Sequence, residues 1–562
     1  MPLKPIFDKA PLTAMNVQPL RAGLVRMESA VMNKLYQLTA MTNDPTAFEG
    51  AFRLACILTA KPAEEPVCAK IRAMLATQKE DGSFMLSFKD SVALLRAAWA
   101  LYEFEARKPL LEHIGRWCAF AVQHWDALMA DDDIWAYSAD LLELLENLYR
   151  VTGKSAVLTL CERVATQTMG WSSVLNTISS QRPTSKSVTK EELETGLARE
   201  NGTREGYYTH FARINHAESL ADGARSTMMK GWFSGSATEL NATRNGWERL
   251  YRHHGAVCGG LTSDEMLEGT SPAEVVSTAA LGAWAEALCA AAMGDKADWA
   301  FAALERMAYN AMPACMKDDK LLAFQRVNAL SDEEDANACF FLNEGHAERA
   351  MLRMVRGYAA MASAAVTATA EGANINLYLP GRFAVPVEDD LLIFTVKTSA
   401  KGASIAVHCK KETEATIRLR MPAWSRNTEV TVNGADNHGE VKNDMMTFDR
   451  TWHDGDVISL TYEQSLNVED GHHQGKYILR GPVLMALPVE GDNWRKAFVS
   501  VTAEDNRVTA VLDEVKEWKV KANAPADLPV LPETTGATAE CALVPYAKAS
   551  ARIALFPGRK QA

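Results

Sequence analysis

Residues 253–271, HHGAVCGGLTSDEMLEGTS, bring histidines, a glycine pair and three carboxylates together in one short stretch. The charge of one of the adjacent acids Asp264 and Glu265 can hold the other protonated, which is the state that a general acid requires. The stretch lies between helical patterns, and loops on a rigid scaffold often carry catalytic groups. The alternative is a polar helix connection in which Thr262 or Ser263 provides a cap. We expect Glu265 and Asp264 to be catalytic.

A second polar cluster, GYYTHFARINHAESL, occupies residues 206–220 and contains His210, Asn215 and His216. The two histidines are six residues apart, and this spacing does not stack them on one face of a helix. A pair of metal ligands on one helix is therefore disfavoured. Either histidine can instead be a structural hydrogen bonder. The three residues are our candidates for binding a substrate.

A third candidate segment, DANACFFLNEGH, spans residues 335–346 and places Cys339 shortly before a helical pattern. A cysteine near a helix N-terminus can have a lowered pKa and act as a nucleophile. The alternative is a buried cysteine beside Phe340 and Phe341. We expect Cys339 to be catalytic and Asn343, in the same segment, to bind substrate.

Composition and missing motifs exclude several classes of function. The 59 basic and 71 acidic residues give a formal net charge of −12, which offers no overall footprint for nucleic acid or for an anionic membrane. The chain has no phosphate-binding loop, dinucleotide fingerprint, Gly-x-Ser-x-Gly elbow or His-Glu-x-x-His motif. Its ten cysteines include no Cys-x-x-Cys pair, and its start has no apolar leader. These features predict a cytoplasmic protein.

The elements that would position these residues change in character near residue 370. Before that point, apolar residues recur at three- and four-residue spacing in about twelve segments, and Gly153 follows one of them where a helix C-cap favours glycine. Twelve helices make six hairpins, which can close into an (α/α)6 barrel, although an open solenoid is the alternative. Residues beyond 370 alternate apolar and polar side chains, and Asn433-Gly434 is a hairpin turn signal.

These patterns predict an α+β multidomain chain, with a helical barrel followed by an antiparallel β-sandwich. We place the helical catalytic domain at residues 1–370, the sandwich domain at 371–470 and a further β domain at 471–562.

Several segments together resemble glycoside hydrolase family 127, the β-L-arabinofuranosidase-like proteins. The main resemblance lies in residues 253–314, which contain the TSDE loop, the GDKADWAFAALERMAYN hairpin and the helix between them. Further segments that agree are QKEDGSF (78–84), YSADLLELLENLYRVTG (137–153), RINHAESL (213–220), LRMPAW (419–424) and RTWHDGD (450–456). The resemblance covers roughly residues 20–490, and it implies an (α/α)6 barrel with β-sandwich domains.

The family's catalytic motif is only partly matched. The resemblance implies that Glu265 is the acid/base, whereas the family also has a glutamate and three cysteines that hold zinc, one of which is the proposed nucleophile. At the family's Glu-x-Cys pair this chain has Ser277 and Ala279, and its Cys-Cys pair becomes Cys339 followed by phenylalanine. A lone thiolate cannot hold zinc tightly. The resemblance therefore implies a divergent member that lacks most of the zinc–cysteine site, and we expect no metal or cofactor.

A pocket histidine of the family is replaced by Asp140. Asp140 and Ser277 are further candidates for binding substrate. The first function we expect is a zinc-independent, exo-acting glycosidase on a plant or algal type of oligosaccharide with an unusual terminal sugar. The alternative is a non-catalytic, carbohydrate-binding pseudoenzyme of the same fold. The expected partner is the oligosaccharide, and a homodimer is possible.

Overall fold

A computed structural model provides the fold of this chain. It describes the following residues: 20–21, 23–26, 30–40, 42–59, 61–178, 181–189, 191, 207–293, 298–317, 320–329, 345–387, 390–436, 439–489, 496–504, 507–515 and 532–558.

The first half of the chain is helical, as its periodicity predicts. Its α-helices, numbered in chain order, are α1 Ala30–Ala40, α2 Pro45–Leu58, α3 Pro66–Leu75, α4 Phe88–Glu105, α5 Lys108–Gln123, α6 Trp125–Ala130, α7 Asp132–Ala136, α8 Ala139–Thr152, α9 Ser155–Gln167, α10 Trp171–Thr177, α11 Tyr207–Asn215, α12 Ala217–Ser234, α13 Ala237–His254, α14 Thr278–Ala291, α15 Asp298–Arg306, α16 Met312–Ala314 and α17 His346–Ala364.

Six of these helices form a closed inner ring. Each of α2, α4, α8, α12, α14 and α17 packs against the next, and α17 returns to α2. The outer helices α1, α3, α5, α9, α13 and α15 pack against this ring. The ring is the predicted (α/α)6 barrel, and the open solenoid is excluded.

The closest approach within the ring joins α14 and α17. Helix α14 is buried along its whole length, and its sequence is correspondingly rich in alanine. A Cβ atom at Gly282 would lie 2.4 Å from the carbonyl oxygen of Arg353, and one at Gly357 would lie 2.7 Å from the carbonyl oxygen of Gly282. Glycine at both positions therefore lets the two helix backbones touch.

The second half of the chain is built from strands, with a few short strands in the helical half. They are β1 Leu20–Arg21, β2 Gly23–Arg26, β3 Val275–Ser277, β4 Met316–Lys317, β5 Lys320–Leu321, β6 Phe324–Arg326, β7 Val366–Thr369, β8 Gly372–Ile375, β9 Gly381–Val387, β10 Asp390–Ser399, β11 Gly402–His408, β12 Thr413–Arg420, β13 Ser425–Val432, β14 Ala435–Asp436, β15 Glu440–Lys442, β16 Met445–Trp452, β17 Val457–Gln464, β18 Leu466–Asp470, β19 Lys476–Arg480, β20 Val483–Pro488, β21 Lys496–Glu504, β22 Arg507–Val515, β23 Thr534–Pro545 and β24 Arg552–Ile553.

Two sheets form the predicted sandwich. Their strand orders are β1-β7-β8-β12-β16-β15 and β14-β13-β17-β11-β10-β9-β2. Burial alternates along β16 and β17, so one face of each sheet is covered, and Trp452 and Phe394 are fully buried in the shared core. The backbone φ angles of 54° at Asn433 and 77° at Gly434 fit the predicted hairpin turn between β13 and β14.

The sandwich differs from the sequence-based expectation in two details. Strands β8 and β12 pair in parallel, whereas the remaining pairs of these two sheets are antiparallel. Strands β1 and β2, which lie within the expected 1–370 domain, also join the sandwich sheets. A third sheet, β18-β19-β20-β23-β22-β21, holds the C-terminal part of the chain, and β24 pairs with β20. Within the described parts of the chain, every helix is too short or too polar to cross a bilayer.

Candidate active site

A cavity of about 510 Å³ opens inside the helical ring. Helices α2, α4, α7, α8, α12 and α17 contribute to its wall, together with residues that connect them. The described residues that line it are Thr46, Lys89, Val92, Ala93, Asp133, Ile134, Tyr137, Ala139, Asp140, Leu141, His216, Glu218, Ser219, Asp222, Arg225, Arg349, Leu352, Arg353 and Arg356. This volume lies in the range of small-molecule sites.

Beside the cavity, residues 262–268 form a tight hairpin. Ser263 and Leu267 pair across it, and the amide of Glu268 donates to the carbonyl oxygen of Thr262. One flank of the hairpin pairs with β3, and the other pairs with His216 at the start of α12. The predicted loop is therefore a small sheet, and its polar residues do not form the helix cap that was the alternative.

Glu265 occupies the tip of this hairpin in a strained backbone conformation. Its φ is +114°, a value that residues other than glycine rarely adopt. Its carbonyl oxygen accepts a hydrogen bond from the amide of Ala217, and only 5% of the residue is exposed. Strain of this kind persists only where the surroundings hold it, and it concentrates at functional sites.

The two adjacent acids of the hairpin face different surroundings. Asp264 lies near Glu268, whose pKa is raised to about 7 by burial and by the nearby charge of Asp264, against the effect of a hydrogen bond from Ser185. The Glu265 carboxylate instead lies next to Arg349. Asp264 and Glu265 therefore have different charged neighbours, an acid in one case and a guanidinium group in the other.

Arg349, in the first turn of α17, connects three groups at the cavity wall. Its Nη1 lies 3.6 Å from Oε1 of Glu265, and its Nε lies 3.0 Å from Oε1 of Glu218. Its Nη2 lies 3.1 Å from Nε2 of His216. Arg353, one turn further along α17, binds the other oxygen of Glu218 at 3.0 Å. These two guanidinium groups lower the pKa of the Glu218 carboxyl against the effect of its burial.

Asp140 lines the cavity and is surrounded by three guanidinium groups. Its carboxylate accepts hydrogen bonds from Arg356 and Arg225, and Nη1 of Arg96 lies 3.2 Å away. Although burial opposes ionisation, the three guanidinium groups hold the pKa of Asp140 well below its usual range. Asp140 is therefore a permanent anion that can accept hydrogen bonds from a ligand, and it is a poor proton acceptor.

The other residues predicted from the sequence have varied surroundings. His216 lines the cavity. Asn215 donates its side-chain amide to the carbonyl oxygen of Phe211, at the end of its own helix. The hydroxyl of Ser277 accepts from the amide of Ala280 and caps α14. His210 lies in α11.

Cys339 and Asn343 fall outside the described residues. The side-chain surroundings of His210 are likewise not described.

The sequence analysis missed several acidic and basic residues that line the cavity, among them Glu218, Asp222, Arg225, Arg349, Arg353 and Arg356. A signal for three of them exists. Arg349, Arg353 and Arg356 are spaced by four and three residues, which places them on one face of a helix. A stripe of arginines on a helix of a barrel requires carboxylate partners, and these come from distant parts of the sequence.

Two positions that the resemblance matches to the family's zinc ligands, Ser277 and Ala279, do not hold residues that bind zinc. Ser277 Oγ is engaged as a helix cap, and Ala279 has no donor atom. Among the described residues, no three His, Cys, Asp or Glu side chains are arranged to hold a metal ion. Zinc is held in proteins by thiolate, imidazole and carboxylate ligands.

Comparison with known proteins gives one sequence match and several structural matches. Residues 372–464 match the family described as "Beta-L-arabinofuranosidase, GH127 middle domain". A search of curated protein sequences finds no significant match.

The similar solved structures include three glycosidases. A structure titled "Glycoside hydrolase" has a TM-score of 0.71 and 13% identity over 98% of this chain and 100% of its own. A GH127 β-L-arabinofuranosidase from Geobacillus stearothermophilus T6 has a TM-score of 0.65 and 15% identity over 94% of both chains. A GH127 β-arabinofuranosidase has a TM-score of 0.55 and 12% identity over 96% of this chain and 98% of its own.

The predicted resemblance and fold class are thus confirmed. The chain is similar to GH127 proteins: residues 372–464 match the middle domain of that family in sequence, and the barrel and sandwich share the fold of solved GH127 structures.

Proposed function

We propose that the chain is a zinc-independent glycoside hydrolase in which Glu265 is the general acid. The observation that carries this proposal is the buried Glu265 carboxylate, held on a strained hairpin tip next to a cavity-lining arginine. A general acid protonates the leaving oxygen of the glycosidic bond, and glycosidases commonly use carboxylates in this role. The matches to glycosidases of the same fold support the reaction class.

The anion of Asp140 complements this acid. The transition state of glycoside hydrolysis carries positive charge on the sugar ring. A fixed carboxylate that stays ionised can stabilise that charge and can accept hydrogen bonds from sugar hydroxyls. We therefore assign Asp140 to substrate binding and electrostatic stabilisation. Asp264, the neighbouring acid, is the second catalytic candidate, and in a reaction without zinc we expect Cys339 to be dispensable.

The charges of the cavity favour a neutral sugar. Every cationic side chain that lines the described cavity is paired with at least one carboxylate; these pairs are Lys89 with Asp133, Arg225 with Asp140 and Glu143, Arg349 with Glu218 and Glu265, Arg353 with Glu218 and Asp222, and Arg356 with Asp140 and Glu286. An acidic sugar would meet these carboxylates without a spare cation. We propose an exo-acting enzyme on the terminal sugar of a plant or algal type of oligosaccharide.

The test is hydrolysis of a panel of plant and algal oligosaccharides by the wild type and by Glu265→Gln. Asp264→Asn is the matched control, because it changes the neighbouring carboxylate of the same hairpin. We expect turnover by the wild type, a large loss in Glu265→Gln and a milder loss in Asp264→Asn. Binding of an oligosaccharide by calorimetry, with no turnover by the wild type, would instead identify the non-catalytic carbohydrate-binding protein that is the alternative.

A further inference from the structure

A chain of hydrogen-bonding groups runs along the cavity wall from Arg349 to Tyr137. Nη2 of Arg349 lies 3.1 Å from Nε2 of His216, and Nδ1 of the same imidazole lies 3.1 Å from Oγ of Ser219. The Ser219 hydroxyl lies 2.8 Å from the Tyr137 hydroxyl. The Tyr137 ring is itself fixed, since it stacks on Trp171 with 23° between the ring planes.

The chemistry of these groups determines which atom donates and which accepts in each hydrogen bond of this chain. A guanidinium group has donors and no acceptor, so the contact with Arg349 requires a lone pair on Nε2 of His216. A neutral imidazole then carries its single proton on Nδ1, which donates to Ser219 Oγ. The backbone amide of Ser219 also donates to Nδ1, at 3.3 Å, and on its own would favour the opposite tautomer. Either tautomer leaves two donors face to face, at the arginine or at this amide. The contact with Arg349 is the shorter one, at 3.1 Å, and its donor is charged, so it favours the proton on Nδ1.

The surroundings keep His216 neutral. Glu218 and Asp222 face it from α12, and Arg349 and Arg353 face it from α17. Burial is the largest effect, and with the two guanidinium groups it lowers the pKa of His216 to about 4 despite the opposing carboxylates. The imidazole is therefore uncharged at neutral pH, as the directed chain requires.

We propose that this chain ends in a hydrogen bond from the Tyr137 hydroxyl to an oxygen atom of the bound sugar. Ser219 accepts the Nδ1 proton of His216 and donates its own hydroxyl hydrogen to Tyr137, so the Tyr137 hydrogen is directed towards the cavity that this residue lines. Tyr137 is then a specificity-determining residue that recognises an acceptor oxygen. His216 is a positioning residue for both Tyr137 and Arg349. The ligand in this inference rests on the proposed function, whereas the tautomer of His216 does not.

The first test measures the tautomer directly and needs no substrate. Nitrogen-15 NMR of histidine-labelled protein at pH 7 distinguishes a protonated Nδ1 from a protonated Nε2, and the spectrum of His216→Gln identifies the resonances of His216. We expect a neutral ring with its proton on Nδ1. A proton on Nε2, or a cationic ring, would overturn the directed chain.

The second test measures how much Tyr137 contributes to the binding of an oligosaccharide. The oligosaccharide is one that the wild type hydrolyses, or one that it binds without turnover. Tyr137→Phe removes the donor and keeps the ring, and we expect KM or Kd to rise about tenfold, the effect of one hydrogen bond. Ser219→Ala, which frees the tyrosine hydroxyl to rotate, should weaken binding less. His216→Gln keeps an acceptor for Arg349 and a donor for Ser219, and should retain more activity than His216→Phe.

The outcomes separate this inference from the proposed function. Unchanged binding by Tyr137→Phe, with activity lost in Glu265→Gln, would overturn the role of the tyrosine and leave the hydrolase proposal standing. Full activity of Glu265→Gln together with weaker binding by Tyr137→Phe would overturn Glu265 as the general acid and leave the role of the tyrosine standing.

Discussion

Nη1 of Arg349 lies 3.6 Å from Oε1 of Glu265, and this ion pair joins the helical ring to the hairpin that carries the acid. The two residues are far apart in the sequence, and Glu265 is almost fully buried whereas 42% of the Arg349 side chain is exposed. The distance is too long for a direct hydrogen bond. Arg349 therefore places a positive charge beside the Glu265 carboxylate without a direct hydrogen bond to it.

The strained backbone of Glu265 predicts a difference between two variants that both lack the carboxylate. Glycine tolerates the φ of +114° at this position, whereas alanine does not. We expect Glu265→Gly to be more stable than Glu265→Ala by about 1 kcal/mol in urea denaturation, and both to be inactive. If Glu265→Ala proves as stable as Glu265→Gly, the conformation is not strained and the argument from strain fails.

A buried acid in α8 predicts a pH dependence of stability. Burial raises the pKa of Glu146 to about 8, and Glu143 adds to this, while Arg150 opposes it. The native state therefore keeps a proton that the unfolded chain releases near pH 4.5, and stability falls as the pH rises from about 4.5 to about 8. Glu146→Gln should remove this loss. Its free energy of unfolding at pH 8 should exceed that of the wild type by a few kcal/mol, because each pKa unit corresponds to about 1.4 kcal/mol.

Denaturation curves at pH 5, 6.5 and 8 measure this effect. Glu162→Gln, in the neighbouring helix α9, is the control because its side chain is exposed. An equal dependence on pH in the wild type and in Glu146→Gln would show that Glu146 is ionised in the native state.

The expected loss of the zinc site predicts that the purified protein contains no stoichiometric zinc. The positions of Ser277 and Ala279 offer no strong ligand, so a chelator should leave the melting temperature and the activity unchanged. Cys339→Ser should keep most of its rate. One equivalent of tightly bound zinc by elemental analysis, or a loss of more than about a hundredfold in the folded Cys339→Ser variant, would restore a zinc or cysteine-nucleophile mechanism.

Local patterns were sufficient to predict the architecture. The three- and four-residue periodicity predicts the helices of the ring, and Asn433-Gly434 predicts the hairpin turn between β13 and β14, because both signals depend on neighbouring residues. Adjacent carboxylates and a family resemblance make Glu265 a candidate from the sequence. Its strained hairpin could not be predicted, since the hairpin is held by pairing with His216 and β3 rather than by its own sequence.

The ion pairs of Asp140 could not be predicted from the sequence. Its partners Arg96, Arg225 and Arg356 come from three other helices of the ring. No local spacing connects them, so only the closure of the ring brings their charges together. Ser277 is the opposite case, because a serine directly before an apolar helix is a typical cap and this signal was available in the sequence.

The most direct test of the central claim compares leaving groups in wild type and Glu265→Gln. A general acid contributes roughly 10²–10⁴ in rate where the leaving oxygen needs a proton. For a natural, unactivated oligosaccharide we therefore predict a loss of this size in Glu265→Gln, and for a 2,4-dinitrophenyl glycoside of the same sugar a far smaller loss, since that leaving group needs little protonation. Full activity on the natural substrate, or an equal loss on both substrates, would contradict the assignment of Glu265 as the acid.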